Sequence, residues 1–122
     1  MALIELGVVA LDCPDPRALA GFYAELLGWR VTGEGRWFEA VGPQGRQLAF
    51  QEAAGYRPPQ WPGQEQPQQC HLDFDVRRAD AEAAQEKALA LGAKLVQQDD
   101  ARQNWRVYLD PVGHPFCFCF RD

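Results

Sequence analysis

The sequence predicts an α+β fold built from two tandem β-α-β-β-β modules, and three observations lead there. Two stretches with apolar residues at helical spacing, around positions 16–27 and 79–92, are each preceded by one strand-like run and followed by three. Trp37, Gly42-Pro43 and Gly45 stand 68 places before Trp105, Asp110-Pro111 and Gly113, the mark of an internal repeat. Between the halves, EAAGYRPPQWPGQEQPQ is rich in proline, glycine and glutamine and has no apolar period, so it reads as a linker.

The elements follow in order. Residues Leu3 to Cys13 are apolar and rich in strand formers. Asp15 is placed to cap a helix whose first position is Pro16, with Leu19, Phe22, Tyr23, Leu26 and Leu27 on one face and Gly28 as the stop. WRVT, RWFEAV and RQLAFQ, separated by GEG and GPQG, read as a meander of three strands. The first module therefore spans about 3–52, and the linker 53–68. The second module, 69–120, repeats the plan with QCHLDFDV as a strand, ADAEAAQEKALALG as a helix, then AKLVQQ, NWRVYL and HPFCFCF as strands. In that helix Ala81, Ala84, Ala88 and Leu91 form an apolar stripe. Near the helices the offset between modules is 64, matching Gly28 with Gly92, so the second module carries a longer hairpin after its helix.

Composition removes several function classes. A chain of 122 residues, 47% hydrophobic, suits one compact domain. A formal charge of -5 argues against nucleic acid and anionic lipid as partners, because both attract a basic face. No apolar run approaches the roughly 20 residues of a spanning helix, and the start lacks the pattern of a signal peptide, so a cytoplasmic protein is expected. Cys13, Cys70, Cys117 and Cys119 do not follow a disulfide or zinc-knuckle spacing, and reduced thiols are expected. The chain has no serine and one threonine, Thr32, which excludes a serine-type hydrolase triad.

Strand alternation sorts the site candidates by face. In the last strand Phe116, Phe118 and Phe120 point toward the helix, and Cys117 and Cys119 point away. If the hairpin closes on DPVG with Asp110 opposite Gly113, Arg106 and Tyr108 share the face of the two cysteines. By the repeat, Phe38, Ala40, Ala49 and Gln51 line the same face of the first module. In QCHLDFDV, Leu72, Phe74 and Val76 meet the helix, leaving His71, Asp73 and Asp75 opposite. A face with aromatic rings, an arginine, thiols and a histidine suits a small-molecule site, so His71, Arg106, Tyr108, Phe38, Cys117, Cys119 and Gln51 are the candidate substrate contacts.

Each candidate has a plainer alternative. His71 reads either as a hydrogen-bonded structural residue or as a ligand contact able to exchange a proton. Arg106 reads as an anchor for an anionic or planar group, or as half of a cross-strand ion pair. Cys117 and Cys119 are reactive only if a neighbouring arginine lowers a thiol pKa, and are otherwise small apolar side chains. His114 belongs to the hairpin turn, and Trp29 and Trp37 to the core or a subunit contact. Trp61, in the linker, has no core to join and reads as a lid over a cleft or a dimer contact.

A duplicated β-α-β-β-β chain with CPDPRALAGFYAELLGW, HLDFDV and DPVGHPFCFCF resembles the vicinal oxygen chelate superfamily over nearly its whole length. That superfamily includes glyoxalases, bleomycin-resistance proteins and extradiol dioxygenases. The LDCPDP start, LGW helix end and HLDF strand are similar to its glyoxalase-like branch. The resemblance implies the glyoxalase/bleomycin resistance/dihydroxybiphenyl dioxygenase-like fold, a cleft for a small molecule, and a homodimer. It also implies metal-ligand positions near Val8, Ala49, His71 and Cys117, of which only His71 keeps a usual ligand type. Valine and alanine have no donor, and three or four donors are the norm. The resulting expectation is a binder of a small aromatic or amphipathic molecule with no cofactor, with catalytic residues unassigned. The alternatives are a lyase, isomerase or dioxygenase using a divalent metal at His71, and a structural or regulatory subunit with no ligand.

Overall fold

The computed structural model describes residues 2–122, and they contain two four-stranded mixed sheets, each with one helix. The chain divides into two compact units, one ending at Tyr56 and the other beginning at Arg57. In the first unit, β1 (Val9–Cys13) leads into α1 (Pro16–Leu27), then β2 (Arg30–Glu34), β3 (Trp37–Val41) and β4 (Gln47–Glu52). In the second, β5 (Leu72–Arg77) leads through a 3-10 turn, Arg78–Asp80, into α2 (Ala81–Ala90), then β6 (Lys94–Gln98), β7 (Trp105–Leu109) and β8 (Pro115–Arg121). The strand orders β1-β4-β3-β2 and β5-β8-β7-β6 are the same, with the first strand of each module parallel to its last and the other pairs antiparallel.

Local sequence explains the boundaries of α1. The Asp15 carboxylate accepts from the Ala18 amide at 3.2 Å, Pro16 opens the first turn, and Gly28 closes the helix at φ 72, where a Cβ would be strained. Its buried face carries Leu19, Ala20, Phe22, Tyr23 and Ala24, and Tyr23 stacks on Phe50 of β4 with centroids 5.6 Å apart. In α2 only Ala81 and Ala88 are buried, so this module draws its core from aromatic strand residues. Phe74, Phe116, Phe118 and Tyr108 form a connected ring cluster, with centroid separations from 4.8 to 5.8 Å. The first strand is shorter than the apolar run: Leu3, Ile4 and Leu6 precede β1 and lie exposed.

The β7–β8 hairpin corrects the expected register by one residue. Asp110 pairs with His114, not Gly113: the Asp110 amide donates to the His114 carbonyl, and the Gly113 amide turns back to the Asp110 carbonyl, each at 2.9 Å. This is a three-residue loop whose last member, Gly113 at φ 96, takes the conformation of a glycine bulge. The buried Asp110 carboxylate fastens it, accepting from the amides of Val112 at 2.9 Å and His114 at 3.0 Å. His114 thus has the turn role expected of it. Tyr108 lies opposite Phe116, Val107 opposite Cys117, Arg106 opposite Phe118 and Trp105 opposite Cys119.

A shift of one residue turns every side chain of β7 to the other face. Arg106 and Tyr108 therefore join the phenylalanines on the helix side. The Arg106 guanidinium donates to Glu82 at 2.7 Å and to Gln85 at 2.9 Å, both on α2, and lies over the Phe120 ring. The Tyr108 hydroxyl donates to the same Gln85 oxygen at 2.7 Å. Burial, partly offset by Arg106, pushes the Tyr108 phenol up, and the hydrogen bond to Glu82 raises Arg106 against its own partial desolvation. Of the two readings of Arg106, the ion pair holds, made to a helix rather than across strands.

The first module is corrected in the same way. Phe38 pairs with Phe50 and Ala40 with Leu48, all four buried on the α1 side, and the Arg17 guanidinium sits over the Phe38 ring. Trp37, Glu39, Ala49 and Gln51 occupy the other face.

Replacing Gln85 with alanine removes the acceptor shared by Tyr108 and Arg106. Urea unfolding of Gln85→Ala should show a loss of about 1–3 kcal/mol, the cost of orphaning buried donors, with the secondary structure unchanged.

Candidate functional site

The face of the second sheet turned away from α2 is built from β5, β7 and β8. Alternation along β8 presents Cys117 and Cys119, the corrected register adds Trp105 and Val107 from β7, and β5 contributes Asp73. His71 sits just before β5, on the Asp73 side, and its Nε2 meets Asp73 Oδ1 at 3.1 Å. Both side chains of that pair are about half exposed.

A cavity of about 330 Å³ opens over this face, with Trp105, Val107 and Cys117 in its wall beside His71 and Gln68. Trp61 and Gln97 complete it. Gln97 arrives through a β-bulge. Leu95 lies opposite Tyr108 and Gln97 opposite Val107, so the ladder skips at Val96 and two residues that would share a face point to opposite ones. Gln97 then accepts from the Trp61 indole at 2.8 Å, tying the linker over the sheet. Trp61 is half-buried against this cavity.

The loop that carries Trp61 is closed by a bridge between Gln60 and Pro67, with the Gln60 amide donating to the Gln66 carbonyl at 2.6 Å. Gln68 follows, and its side-chain oxygen is buried with no hydrogen-bond partner among the described residues. The walls are otherwise mostly apolar.

The sequence candidates thus divide. His71 and Cys117 line the cavity, and Cys119 adjoins Cys117 with the sulfurs 3.8 Å apart. Arg106 and Tyr108 lie on the opposite side of the sheet, and Phe38 is under α1 in the other module. Gln51 lines a separate depression of the first module with Trp37, Arg36, Glu34 and Glu52, where Arg36 pairs with Glu52 at 3.5 Å. Trp37 is an exposed wall residue there, with its indole donating to Glu39, rather than core. Trp105, Val107, Gln97 and Gln68 were not singled out from sequence. The repeat offset already paired Trp105 with Trp37, and glycine as the last loop residue of DPVG signals the three-residue turn that places Trp105 here.

Cys117 is not an activated thiol. Burial first, then the neighbouring Cys119 and Asp73, push Cys117 up from its ordinary 9.0 to about 12. The arginine invoked as an activator faces the other way. Among the described residues no cysteine is in a disulfide.

A profile of the glyoxalase-like domain matches residues 8–119. The chain belongs to the glyoxalase-like domain family. Solved structures with the same fold include a glyoxalase/bleomycin resistance protein/dioxygenase family enzyme from Burkholderia phytofirmans, 18% identical, with 96% of this chain and 98% of that one aligned at a TM-score of 0.74. A glyoxalase-related enzyme from Fulvimarina pelagi is 24% identical over 98% of this chain and 89% of its own, with a TM-score of 0.68. The fosfomycin resistance protein FosX from Listeria monocytogenes is 13% identical over 99% and 96%, with a TM-score of 0.73. A mutant of FosX was solved with Mn(II) and dihydroxypropylphosphonic acid. At these identities the structures establish a shared fold. No curated protein matches the sequence.

The glyoxalase-like chain does not fit an oxygen-favouring divalent ion at the positions the superfamily resemblance implies. Val8 and Ala49 carry no donor, and Cys117 offers a sulfur where a carboxylate is usual. His71 is paired with Asp73.

Raised above its unfolded value, the Cys117 thiol favours the protonated folded state: that stabilisation is complete below about pH 9 and fades as pH rises through about 12. It leaves far less thiolate than an ordinary thiol at the same pH. Timed alkylation of the reduced protein at pH 8.5, read by peptide mass spectrometry, should label exposed Cys70 while Cys117 stays unmodified until the chain is unfolded.

Proposed function

We propose that this glyoxalase-like domain binds a small aromatic or amphipathic molecule in the cavity of its second module, without the divalent-ion site of metal-dependent relatives. The observation that carries the reading is Trp61, drawn by Gln97 from the linker to a cavity whose other indole is Trp105. Two indoles, a valine and a buried thiol favour a flat apolar body by stacking and by desolvation. The volume lies in the lower part of the range of about 300–1,000 Å³ common for small-molecule sites. His71 and the unpaired Gln68 oxygen supply the polar positions, so the ligand carries at least one hydrogen-bond donor at its rim.

A metal-dependent lyase, isomerase or dioxygenase is the second reading. The family match and the Mn(II) complex of FosX favour it, and it would place His71 at the ion. The two differ in whether binding needs a metal.

We further propose a homodimer in a reducing, cytoplasmic setting. The absence of disulfides among the described residues supports the setting, and exposed Leu3, Ile4 and Leu6, close together in the chain, support association, since contiguous exposed apolar residues mark interaction surfaces. No helix among the described residues is long and apolar enough to cross a membrane.

Titration of tryptophan fluorescence with a panel of fused-ring amines and phenols, in the presence of a chelator, tests the main reading. Saturable quenching is expected, weakened about tenfold or more in Trp61→Ala and in Trp105→Ala, as loss of a stacked ring implies. Binding that appears only after a divalent ion is restored would favour the enzyme reading.

A further inference from the structure

We infer that Cys117, Cys119 and Asp73 form a site for a thiophilic cation of the zinc type, beside the cavity and within the second module alone. Their ligand atoms all lie within 4.8 Å of one another. The three come from two adjacent strands: Cys117 and Cys119 alternate along β8, and Asp73 lies directly opposite Cys117 on β5. Alternation alone puts both sulfurs and the carboxylate on one face, so no loop has to order itself around the ion.

The spacing of the sulfurs suits such an ion. Two thiolates at the zinc–sulfur distance of ~2.3 Å, subtending a tetrahedral angle, stand about 3.8 Å apart. The observed separation is 3.8 Å. A Cys119 S–H directed at Cys117 holds the pair at that distance. Asp73 is the third donor, and its other partner, His71 at 3.1 Å, is an imidazole of the kind that orients a ligating carboxylate from outside the coordination sphere. Three protein donors leave a fourth position. Of the three donors, Cys117 also lines the cavity.

Donor chemistry separates this site from that of metal-dependent relatives. Two sulfurs select zinc, cobalt or cadmium over manganese and magnesium, which prefer all-oxygen shells. Binding is an exchange: the cation forms two metal–sulfur bonds and one metal–oxygen bond while two thiol protons pass to solvent. No redox change is involved.

The site does not depend on the proposed ligand, so its test omits ligand. Reduced full-length protein is titrated with Co(II) at pH 7, with the sulfur-to-cobalt charge-transfer band and proton release recorded together. One Co(II) per chain is expected, with an intense band, release of about two protons, displacement by one equivalent of Zn(II), and no displacement by a hundredfold excess of Mn(II). Cys119→Ser should weaken Co(II) binding at least tenfold and reduce the band. Asp73→Asn should weaken binding while keeping the band, and Cys70→Ser should change neither. Circular dichroism checks each variant's fold, and the wild-type proton count stands even if a variant misfolds. A wild-type protein with no charge-transfer band, a band that Cys70→Ser abolishes, or binding without proton release would overturn the assignment. A failed ligand screen would leave it standing.

Discussion

The open face of the second module depends on one buried carboxylate. Asp110 accepts from the amides of Val112 and His114 and so fixes a loop of three residues between β7 and β8. Gly113 at φ 96 closes it. Because side chains alternate along a strand, loop length alone decides whether β7 offers Arg106 and Tyr108 or Trp105 and Val107 to the open face. The three-residue loop sends the arginine and the tyrosine to α2, where Gln85 and Glu82 receive them, and leaves an apolar wall with one indole. Pro115 is accommodated in the same register. Counting outward from the hydrogen-bonded pair Asp110–His114, it falls at a non-hydrogen-bonded position, where its missing N–H costs nothing.

The two modules show how one backbone plan diverges through its open face. Trp37 opposite Gln51 in the first sheet matches Trp105 opposite Cys119 in the second, residue for residue at the repeat offset. Ala49 stands where Cys117 stands, and the first depression is bordered by Glu34, Arg36 and Glu52, which keep it polar. The second gains two thiols, a histidine–aspartate pair, and through the Val96 bulge a glutamine that holds Trp61. Chemistry therefore concentrates in the second module, although the helix packing is richer in the first.

Much of this fold was legible because its signals are local. Asp15, Pro16 and Gly28 bracket α1 by capping chemistry, and the phenylalanines of β8 reveal their face by alternation. The positions of His71, Asp73, Cys117 and Cys119 on the open face followed from the same rule. What failed was register, which alternation does not determine. DPVG followed by histidine admits a two-residue or a three-residue loop, and the choice rests on hydrogen bonds of Asp110 that no periodicity displays. Trp105 and Val107 were lost to that ambiguity, and Phe38 with them through the repeat. Gln97 was beyond reach for another reason: a bulge breaks alternation within a strand whose sequence, KLVQQ, gives no sign of it.

The register can be observed directly in a nuclear Overhauser spectrum of the folded protein. Non-hydrogen-bonded antiparallel pairs bring their Hα atoms close, while hydrogen-bonded pairs do not. Strong Hα–Hα cross-peaks between Val107 and Cys117 and between Trp105 and Cys119 are predicted. Cross-peaks from Val107 to Phe116 or from Arg106 to Cys117 would instead return Arg106 and Tyr108 to the cavity face, and would contradict both the apolar wall and the account of the site built on it.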